Sequence, residues 1–249
     1  MKQITLDNKN SIVIGAGSGL GYELALRLVK LGSKVVFTSK DVLFLRSSIK
    51  KDLDKELLKK VFIKRVDISK PHDVDSLMTY TENKLGSIDI LINSAGIASY
   101  KPFINMSDSE IESVIKTNLL GAIYVIKKSL PLMSSKLSTR WIIQIGSLAG
   151  QKVGHKFFSV YSASKEGLVG LFRSLLPELN QTGIKLILVH PPAFNSRLPL
   201  KAFGSKELIK KFNESDLKKT GDIASKIIRI FNEEPFLKEG FKFYLNLDE

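Results

Sequence analysis

The chain has 249 residues and a mass of 27.8 kDa, enough to bury a core, and its 43% hydrophobic content excludes an intrinsically disordered protein. With 38 Lys and Arg against 25 Asp and Glu, the net charge is +13, which leaves nucleic acid, anionic lipid or an acidic carrier protein open as partners. The absence of cysteine excludes disulfides, thiol nucleophiles and thiolate metal sites.

The sequence also indicates the cellular location of the protein and gives no sign of a metal site. Three histidines without a ligand spacing give no reason to expect a zinc site. Asp7 lies where a signal peptide needs an apolar segment, and no apolar run approaches the roughly 18 residues of a membrane span. We therefore expect a cytoplasmic protein without a membrane span.

Short apolar runs alternate with longer amphipathic segments along most of the chain. The runs predict buried strands at Ser11–Ile14, Lys34–Thr38, Val61–Val66, Ile88–Ile92, Trp141–Ile145, Ile184–Val189 and Phe241–Leu245. The segments between them predict helices over 19–31, 42–60, 72–85, 107–117, 119–135, 160–181 and 221–232. This alternation predicts an α/β, three-layer Rossmann fold, with helices on both faces of a seven-stranded, mostly parallel, doubly wound sheet. We expect a single domain over residues 1–249, with a substrate loop at about 192–220 because a loop that long is usually functional.

A glycine-rich segment joins the first predicted strand to the first predicted helix. It consists of Gly15, Ala16, Gly17, Ser18, Gly19, Leu20 and Gly21. Glycines allow a tight turn there and let the backbone approach a pyrophosphate, which the amides and dipole of the helix N-terminus attract. The strand–turn–helix context therefore predicts a dinucleotide cofactor.

The end of the second predicted strand indicates which dinucleotide binds. NAD-binding proteins usually carry an acid there that accepts from the ribose 2′-hydroxyl. This chain has Ser39 and Lys40, with no acid until Asp41. Because Ser39 can bond a phosphate and Lys40 can neutralise one, we expect NADP(H) to be favoured over NAD(H).

Tyr161 and Lys165 lie four residues apart, so on a helix they share one face. A lysine in this position can stabilise a phenolate, and about 4 kcal/mol would bring a tyrosine pKa from about 10 towards 7. The same spacing recurs at Tyr80/Lys84 and Tyr124/Lys128. Only Tyr161 also follows a serine at the end of a buried strand, Ser147, and such strand ends face the ligand crevice of a parallel sheet.

Together these residues resemble the classical short-chain dehydrogenase/reductase family over roughly residues 10–200. The resemblance rests on the glycine spacing and on Asp67, Asn93-Ser94-Ala95-Gly96, Asn118, Ser147, Tyr161 and Lys165. It implies that Ser147 binds the substrate oxygen, Tyr161 transfers its proton, and Asn118 holds a water in a relay through Lys165. It also implies cofactor contacts from Asp67 at the adenine, from Asn93 beside the strand, and from Ile68, Ala95, Gly96, Tyr161, Lys165, Pro191 and Ser196.

Four features of the sequence depart from the family pattern. Ile14 replaces a frequent threonine whose hydroxyl tightens the glycine turn, and Ser94 replaces the usual second asparagine. Pro191-Pro192 replaces Pro-Gly, so the floor of the nicotinamide pocket is expected to differ. The segment Phe241–Glu249 lacks the glycine-rich ending of tetrameric members, which argues against a tetramer and leaves open a homodimer through the helices at 119–135 and 160–181.

The expected activity is NADPH-dependent reduction of a ketone on an apolar or lipid-like small molecule. Apolar walls are predicted from Val153, Phe157, Phe158, Phe194, Leu198 and Phe203, while His155 is expected to face solvent. One alternative is a 3-oxoacyl-(acyl-carrier-protein) reductase whose basic surface meets an acidic carrier. Another is a non-catalytic cofactor-sensing or scaffold protein, which the complete set of active residues disfavours. The lysines of 50–65 and 201–219 accompany no recognition motif, so nucleic acid is not an expected partner.

Overall fold

Seven parallel strands form one sheet in the computed structural model, which describes residues 5–133, 139–148, 156–192, 194, 218–231 and 242–244. The strands are β1 (Asn10–Ile14), β2 (Lys34–Ser39), β3 (Val61–Arg65), β4 (Ile90–Asn93), β5 (Arg140–Ile145), β6 (Ile184–His190) and β7 (Lys242–Tyr244). Their order across the sheet is β3-β2-β1-β4-β5-β6-β7, and all of these pairs are parallel. The order reverses direction at β1 and β4, which is the switch point where sheets of this kind bind their ligands.

Helices connect the strands. They are α1 (Gly19–Lys30), α2 (Val42–Asp52), α3 (Lys55–Leu58), α4 (Pro71–Leu85), α5 (Asp108–Ile115), α6 (Gly121–Ser129), α7 (Ser159–Leu179) and α8 (Thr220–Arg229). A π-helical turn at Lys116–Leu120 joins α5 to α6, and short 3₁₀ turns lie at Phe103–Asn105 and Leu130–Met133. No helix within the described ranges is both long and apolar enough to cross a membrane.

The sheet separates two hydrophobic cores, because successive residues of a strand point to opposite faces. Ile12 of β1 packs with Val74 of α4 and Leu168 of α7, and its neighbour Val13 packs on the other face with Leu24 of α1 and Ile223 of α8. Each of these side chains is 0% exposed. Burial on both faces explains why the strands are continuous apolar runs in the sequence, and the expected three-layer fold is confirmed.

Three of the helix predictions were wrong in their boundaries. The helix expected over 42–60 is two helices, because Leu53 is extended and the side chain of Asp54 caps a new helix by accepting from the amide of Leu57. The helices expected over 107–117 and 119–135 are one helical run up to residue 133, since the π turn carries the chain through residue 118 without a break. Residues 134–135 and most of the predicted 192–220 loop lie outside the described residues.

Candidate active site

The glycine-rich turn lies at the carboxyl end of β1 and is shaped by close contacts of its backbone. Gly15 has a φ of +77°, and a Cβ on it would lie 2.8 Å from the amide nitrogen of Ala95. Its N–H donates to Oγ1 of Thr38 at 3.3 Å, and that hydroxyl donates to the carbonyl of Val13 at 3.2 Å. The hydroxyl that is missing at Ile14 is therefore replaced by the hydroxyl of Thr38 on β2, which holds the glycine turn.

The start of α1 is open to an anion. Ser18 is the N-cap residue, its side chain makes no capping hydrogen bond, and the first turn contains no acid. A Cβ on Gly17 would lie 2.4 Å from Oγ and 3.1 Å from Cβ of Ser39, so a larger residue here would force the Ser39 side chain to shift. A phosphate at the N-terminus of α1 would be attracted by the amides and the dipole of the helix. The backbone of the glycine turn and the hydroxyl of Ser39 lie beside that position.

Lys40 and Asp67 are joined by an ion pair beyond the ends of β2 and β3. Nζ of Lys40 lies 2.9 Å from Oδ2 of Asp67, with side chains that are 59% and 24% exposed. The guanidinium of Arg65 donates to the carbonyl of Lys40 at 3.2 Å. The nearby acid Asp41 accepts at 3.1 Å from the amide of Phe44 and so caps α2. Two residues that the sequence assigned to separate parts of a nucleotide site therefore contact each other.

Asp67 is held as a carboxylate. Its Oδ1 accepts from the amide and the hydroxyl of Ser69 at 3.1 and 2.7 Å. Partial burial raises the pKa of Asp67, but the hydrogen bonds from Ser69 and Lys40 outweigh burial and hold that pKa below its ordinary value. A cavity of about 280 Å³ borders the ion pair and is lined further by Ser69, Ser109, Glu112, Ser113, Lys116 and Thr117.

Asn93 ties β4 to β5 beneath the glycine turn. Its Nδ2 donates to Oε1 of Gln144 at 2.8 Å, and Nε2 of Gln144 donates to the carbonyl of Asn93 at 3.2 Å. Oδ1 of Asn93 also accepts from the amide of Ala95 at 3.2 Å. The pair fixes the path of the loop after β4, which is the loop that approaches Gly15.

Asn118 lies within the π-helical turn and is 1% exposed. Its carboxamide accepts from the amide of Ile97 and donates to the carbonyl of Ile97, both at 2.8 Å, and donates to Oγ of Ser164 at 3.0 Å. One side chain therefore connects the loop after β4 to α7. A Cβ on Gly96 would lie 3.4 Å from Oδ1 of Asn118 and 3.6 Å from Nζ of Lys165, which places this loop beside both groups.

Ser147 and Tyr161 meet where β5 ends and α7 begins. Tyr161 is 8% exposed, and its hydroxyl makes a hydrogen bond with the side chain of Ser147. Burial raises the pKa of the Tyr161 phenol above its ordinary value, and the hydrogen bond from Ser147 opposes that effect without cancelling it. The phenol is consequently protonated at neutral pH, whereas the sequence led us to expect a pKa lowered by lysine.

Lys165 lies one turn further along α7 and is buried beneath the tyrosine. Its Nζ donates to the carbonyl of Ile145 at 3.0 Å and lies 5.7 Å from the centroid of the Tyr161 ring. Burial lowers the pKa of Lys165 from 10.5 to about 8. The pKa of the Lys165 ammonium is therefore close to neutral pH. The group is bonded to the end of β5 and lies over the face of the phenol ring.

The two sequence repeats of the Tyr-x-x-x-Lys spacing lack this arrangement. Tyr80 packs against the core beneath α4, where Nζ of Lys64 lies 5.4 Å from its ring centroid. Tyr124 also packs against that core, and Lys128 donates to the carbonyl of Pro71 and pairs with Asp75. Both tyrosines pack against the core, and Lys128 bonds to α4 and not to Tyr124.

An aromatic cluster adjoins Tyr161. The ring of Tyr100 lies 5.2 Å from Phe157 and 5.1 Å from Phe158, and Phe158 lies 5.7 Å from Tyr161. Phe157 has a φ of +70°, in the left-handed region that non-glycine residues rarely adopt. The carbonyl of Phe157 accepts from the amide of Lys101 at 3.1 Å, which holds this conformation against the loop after β4.

The structure describes only part of the site that was predicted after β5 and β6. Pro191 is buried just after β6, and Phe194 forms a parallel bridge with Lys218. The remaining predicted positions, Val153, His155, Ser196, Leu198 and Phe203, lie outside the described residues.

Four polar residues at the site were not found from the sequence. They are Thr38 at the glycine turn, Gln144 beside Asn93, Ser164 beside Asn118 and His190 beside Ser147. Thr38, Gln144 and His190 are polar residues inside apolar strands, and each is 0–1% exposed. The sequence did contain a signal for these three residues, because a polar residue in a strand buried on both faces needs a hydrogen-bond partner.

Comparisons with known proteins agree with this geometry. The family model described as short chain dehydrogenase matches residues 9–203. The chain is 33% identical over 243 residues to 3-oxoacyl-(acyl-carrier-protein) reductase FabG of Buchnera aphidicola, covering 97% of each chain. The fold is similar to a 3-ketoacyl-(acyl-carrier-protein) reductase from Brucella melitensis complexed with NADH, with a TM-score of 0.83, 23% identity and coverage of 97% and 98%. It is also similar to a short chain dehydrogenase from Burkholderia cenocepacia in complex with NADP, with a TM-score of 0.82, 22% identity and 97% coverage of both chains.

The sheet, the glycine turn and the tyrosine–lysine pair together define a pyridine-nucleotide oxidoreductase. The chain belongs to the short-chain dehydrogenase/reductase family and is an NAD(P)-dependent oxidoreductase that interconverts CH–OH and C=O groups.

Proposed function

We propose that the protein reduces a ketone on an apolar or lipid-like small molecule, with NADPH as the reductant. The observation that carries the proposal is the hydrogen bond between Ser147 and the buried, protonated phenol of Tyr161, with Lys165 beneath the ring. These three residues come from the ends of β5 and α7, at the edge of the sheet where ligands of such folds bind.

The residues around the glycine turn fit a dinucleotide. The N-terminus of α1 and the backbone at Gly15 and Gly17 would hold the pyrophosphate, since Ser18 makes no capping hydrogen bond and the first turn of α1 contains no acid. Further contacts to the cofactor are proposed from Ser18, Gly19, Leu20, Gly21, Ile68, Asn93, Ala95, Gly96, Pro191 and Ser196. When bound, the nicotinamide supplies the hydride for the reduction.

The chain's own residues orient the carbonyl and move the proton. Ser147 binds the carbonyl oxygen of the substrate, and the phenol of Tyr161 donates its proton to that oxygen. Because burial keeps the phenol protonated, Tyr161 begins the reduction in the form that the step requires. The ammonium of Lys165 stabilises the phenolate that remains, and Asn118 positions the loop beside Lys165 through which we propose that a water returns the proton.

The surroundings of Lys40 support the preference for NADPH. Its ammonium, the hydroxyl of Ser39 and the guanidinium of Arg65 lie together at the ends of β2 and β3. Asp41, the next acid along the chain, accepts from the amide of Phe44 at the start of α2. A phosphate bound here would lie near the ammonium of Lys40 and the guanidinium of Arg65, while the carboxylate of Asp67 is already bonded to Lys40 and Ser69.

Apolar groups next to Tyr161 support an apolar substrate. The rings of Tyr100, Phe157 and Phe158 form a cluster that reaches Tyr161, and Leu148, next to Ser147, is 40% exposed. Aromatic and aliphatic walls with a few convergent polar groups are typical of sites for apolar ligands.

A panel of ketones and aldehydes tests the proposal, with consumption of NADPH and of NADH followed by absorbance. We expect turnover of apolar ketones with NADPH and little turnover of sugars. Absence of turnover on every carbonyl compound, with intact cofactor binding, would favour a cofactor-sensing protein instead.

A second candidate is reduction of a 3-oxoacyl group attached to an acyl carrier protein. The 33% identity to a reductase of this name over 97% of each chain favours it, and the net charge of +13 suits an acidic carrier. Rates with carrier-bound and free 3-oxoacyl substrates separate the two candidates. A carrier-linked enzyme shows a much lower KM for the carrier-bound substrate and loses that advantage as salt is raised.

We also propose a cellular location and an oligomeric state for the protein. A chain without cysteine suits the reducing cytoplasm, and we propose that a homodimer would form through α6 and α7. Sedimentation analysis at micromolar concentration distinguishes a monomer, a dimer and a tetramer.

A further inference from the structure

His190 is a buried titratable side chain that the proposed chemistry does not use. It is the last residue of β6 and is 0% exposed. Its Nδ1 lies 2.9 Å from the backbone carbonyl oxygen of Ser147 and 3.3 Å from the backbone nitrogen of the same residue. The imidazole therefore contacts the peptide groups on both sides of the Ser147 Cα.

Strand pairing brings the imidazole to this place. Ile145 of β5 lies opposite Val189 of β6, and the amide of Gly146 donates to the carbonyl of Val189 at 2.7 Å. A Cβ on Gly146 would lie 2.7 Å from Nδ1 and 2.8 Å from Cε1 of His190. The glycine thus leaves room for the ring, and the ring fills the space beside the backbone that leads to Ser147.

We propose that His190 is a positioning residue, which fixes the backbone of Ser147 and so directs its hydroxyl towards Tyr161. β5 ends at Ile145, so Ser147 lies two residues beyond the strand and needs a further contact to hold its orientation. Nδ1 supplies that contact through one hydrogen bond in either tautomer, as donor to the carbonyl or acceptor from the amide. A displacement of about 1 Å at a group that orients substrate can cost about 10²-fold in rate. The role as stated rests on the proposed function.

Two variants of similar size separate the hydrogen bond from the packing. In His190→Asn, the carboxamide places an atom that can donate or accept at about the position of Nδ1, and His190→Leu fills the space without a polar atom. We expect His190→Leu to lower kcat at least tenfold while the Kd for NADPH changes less than threefold. We expect His190→Asn to keep kcat within threefold of the unmodified protein.

Leu188→Val is the matched control, because Leu188 is also 0% exposed on β6 and belongs to the core between the sheet and α7. It lowers stability without touching Ser147, so its kcat should stay unchanged. Equal losses of kcat in His190→Asn and His190→Leu would overturn the proposal, as would an unchanged kcat in His190→Leu.

Crystal structures of the same variants provide a readout that does not depend on turnover. If the unmodified protein reduces no carbonyl compound, the proposed function fails, and the position of the Ser147 hydroxyl then decides the role of His190. A shift of that hydroxyl away from Tyr161 by about 1 Å in His190→Leu, but not in His190→Asn, supports the role. An unshifted hydroxyl in both variants overturns it.

Discussion

Nζ of Lys40 lies 2.9 Å from Oδ2 of Asp67, and this ion pair links the end of β2 to the end of β3. The lysine side chain is 59% exposed, and ion pairs of this kind contribute at most about 1 kcal/mol. Moving the ammonium from Asp67 to a ribose phosphate therefore costs little. The pair holds Lys40 at the end of β2, where we propose that it meets the cofactor, and leaves it able to exchange Asp67 for a phosphate.

The variant Lys40→Met tests whether Lys40 is responsible for the proposed preference for NADPH over NADH. We expect the Kd for NADPH to rise tenfold or more, because a hydrogen bond between charged groups contributes about 1.5–3 kcal/mol. The Kd for NADH should change less than threefold. Fluorescence titration of the reduced nicotinamide measures both values.

The control is Lys59→Met, which removes an exposed lysine paired with Glu56 at 2.8 Å on α3. It should leave both dissociation constants unchanged. An unmodified protein that binds NADH tenfold more tightly than NADPH would contradict the preference.

Tyr161→Phe should retain cofactor affinity and lose at least 10²-fold in turnover. The variant keeps the ring that packs on Phe158 but removes the proton donor, and general acid catalysis contributes typically 10²- to 10⁴-fold. Steady-state kinetics with the best ketone of the panel measure the loss.

Tyr124→Phe is the control, since Tyr124 has the same spacing to a lysine but packs against the core. Its turnover should match the unmodified protein. Near-normal turnover in Tyr161→Phe would refute the assignment.

Lys165 should make stability depend on pH in the alkaline range. Burial lowers its pKa from 10.5 to about 8, so between these values the unfolded chain binds more protons than the folded protein. The contribution of Lys165 to the free energy of unfolding therefore rises with pH from about 8 to 10.5. Below pH 8 the buried charge costs about 3 kcal/mol relative to a lysine in water.

Lys165→Met removes this cost together with the hydrogen bond to Ile145. We expect the free energy of unfolding of Lys165→Met to exceed that of the unmodified protein by up to about 3 kcal/mol at pH 7. The difference should shrink as the pH approaches 10.5. Urea unfolding at several pH values, with Lys59→Met as the control for losing one lysine, measures it. A difference that grows with pH would have the wrong sign.

Asn118 and Ser164 should differ in what they contribute to stability. Asn118→Leu leaves the amide and the carbonyl of Ile97 without this partner, and each buried group left unpaired costs about 1–3 kcal/mol. The hydroxyl of Ser164 still donates to the carbonyl of Tyr161. We expect a loss of about 2–6 kcal/mol for Asn118→Leu and about 1 kcal/mol for Ser164→Ala. Urea unfolding gives both values, and equal losses would show that the Ile97 contacts contribute nothing.

Thr38→Val should weaken both cofactors alike. The valine has the shape of threonine but no hydroxyl for the amide of Gly15, so the glycine turn loses one of its contacts to β2. We expect the Kd values for NADPH and NADH to rise by the same factor, about three- to tenfold. Thr38→Ser, which keeps the hydroxyl, is the control. A change confined to NADPH would mean that Thr38 acts through the phosphate site.

The sequence was sufficient for the sheet and for predicting which of the proposed site residues lie near one another. Gly15, Ser147 and Tyr161 each follow a strand or begin a helix whose position the apolar pattern predicts. Since parallel strands end at one edge of the sheet, their order along the chain was enough to bring these residues together. The choice of Tyr161 over Tyr80 and Tyr124 depended on the same reasoning.

Contacts between residues far apart in the chain were not predictable from pattern. The amino-acid sequence does not show that Lys40 bonds Asp67, because each residue alone suits a different part of a nucleotide site. His190 and Ser147 are 43 residues apart, and their contact depends on the register of β5 with β6. The expected effect of Lys165 on the Tyr161 pKa also required the structure, since it depends on burial.

The π-helical turn at Lys116–Leu120 has a consequence for comparing this chain with its relatives. Each regular α-helical residue advances about 100° around the axis, and a π turn accommodates one residue more than an α turn. Because the wider turn absorbs the extra residue, the segments before and after it keep the orientation they would have in a continuous α-helix. Deleting one residue between Asn118 and Gly121 would therefore restore a regular helix without rotating α5 against α6, and would change only the directions of the side chains within the turn, Asn118 among them. In this helix the residue count matters as much as the residue types.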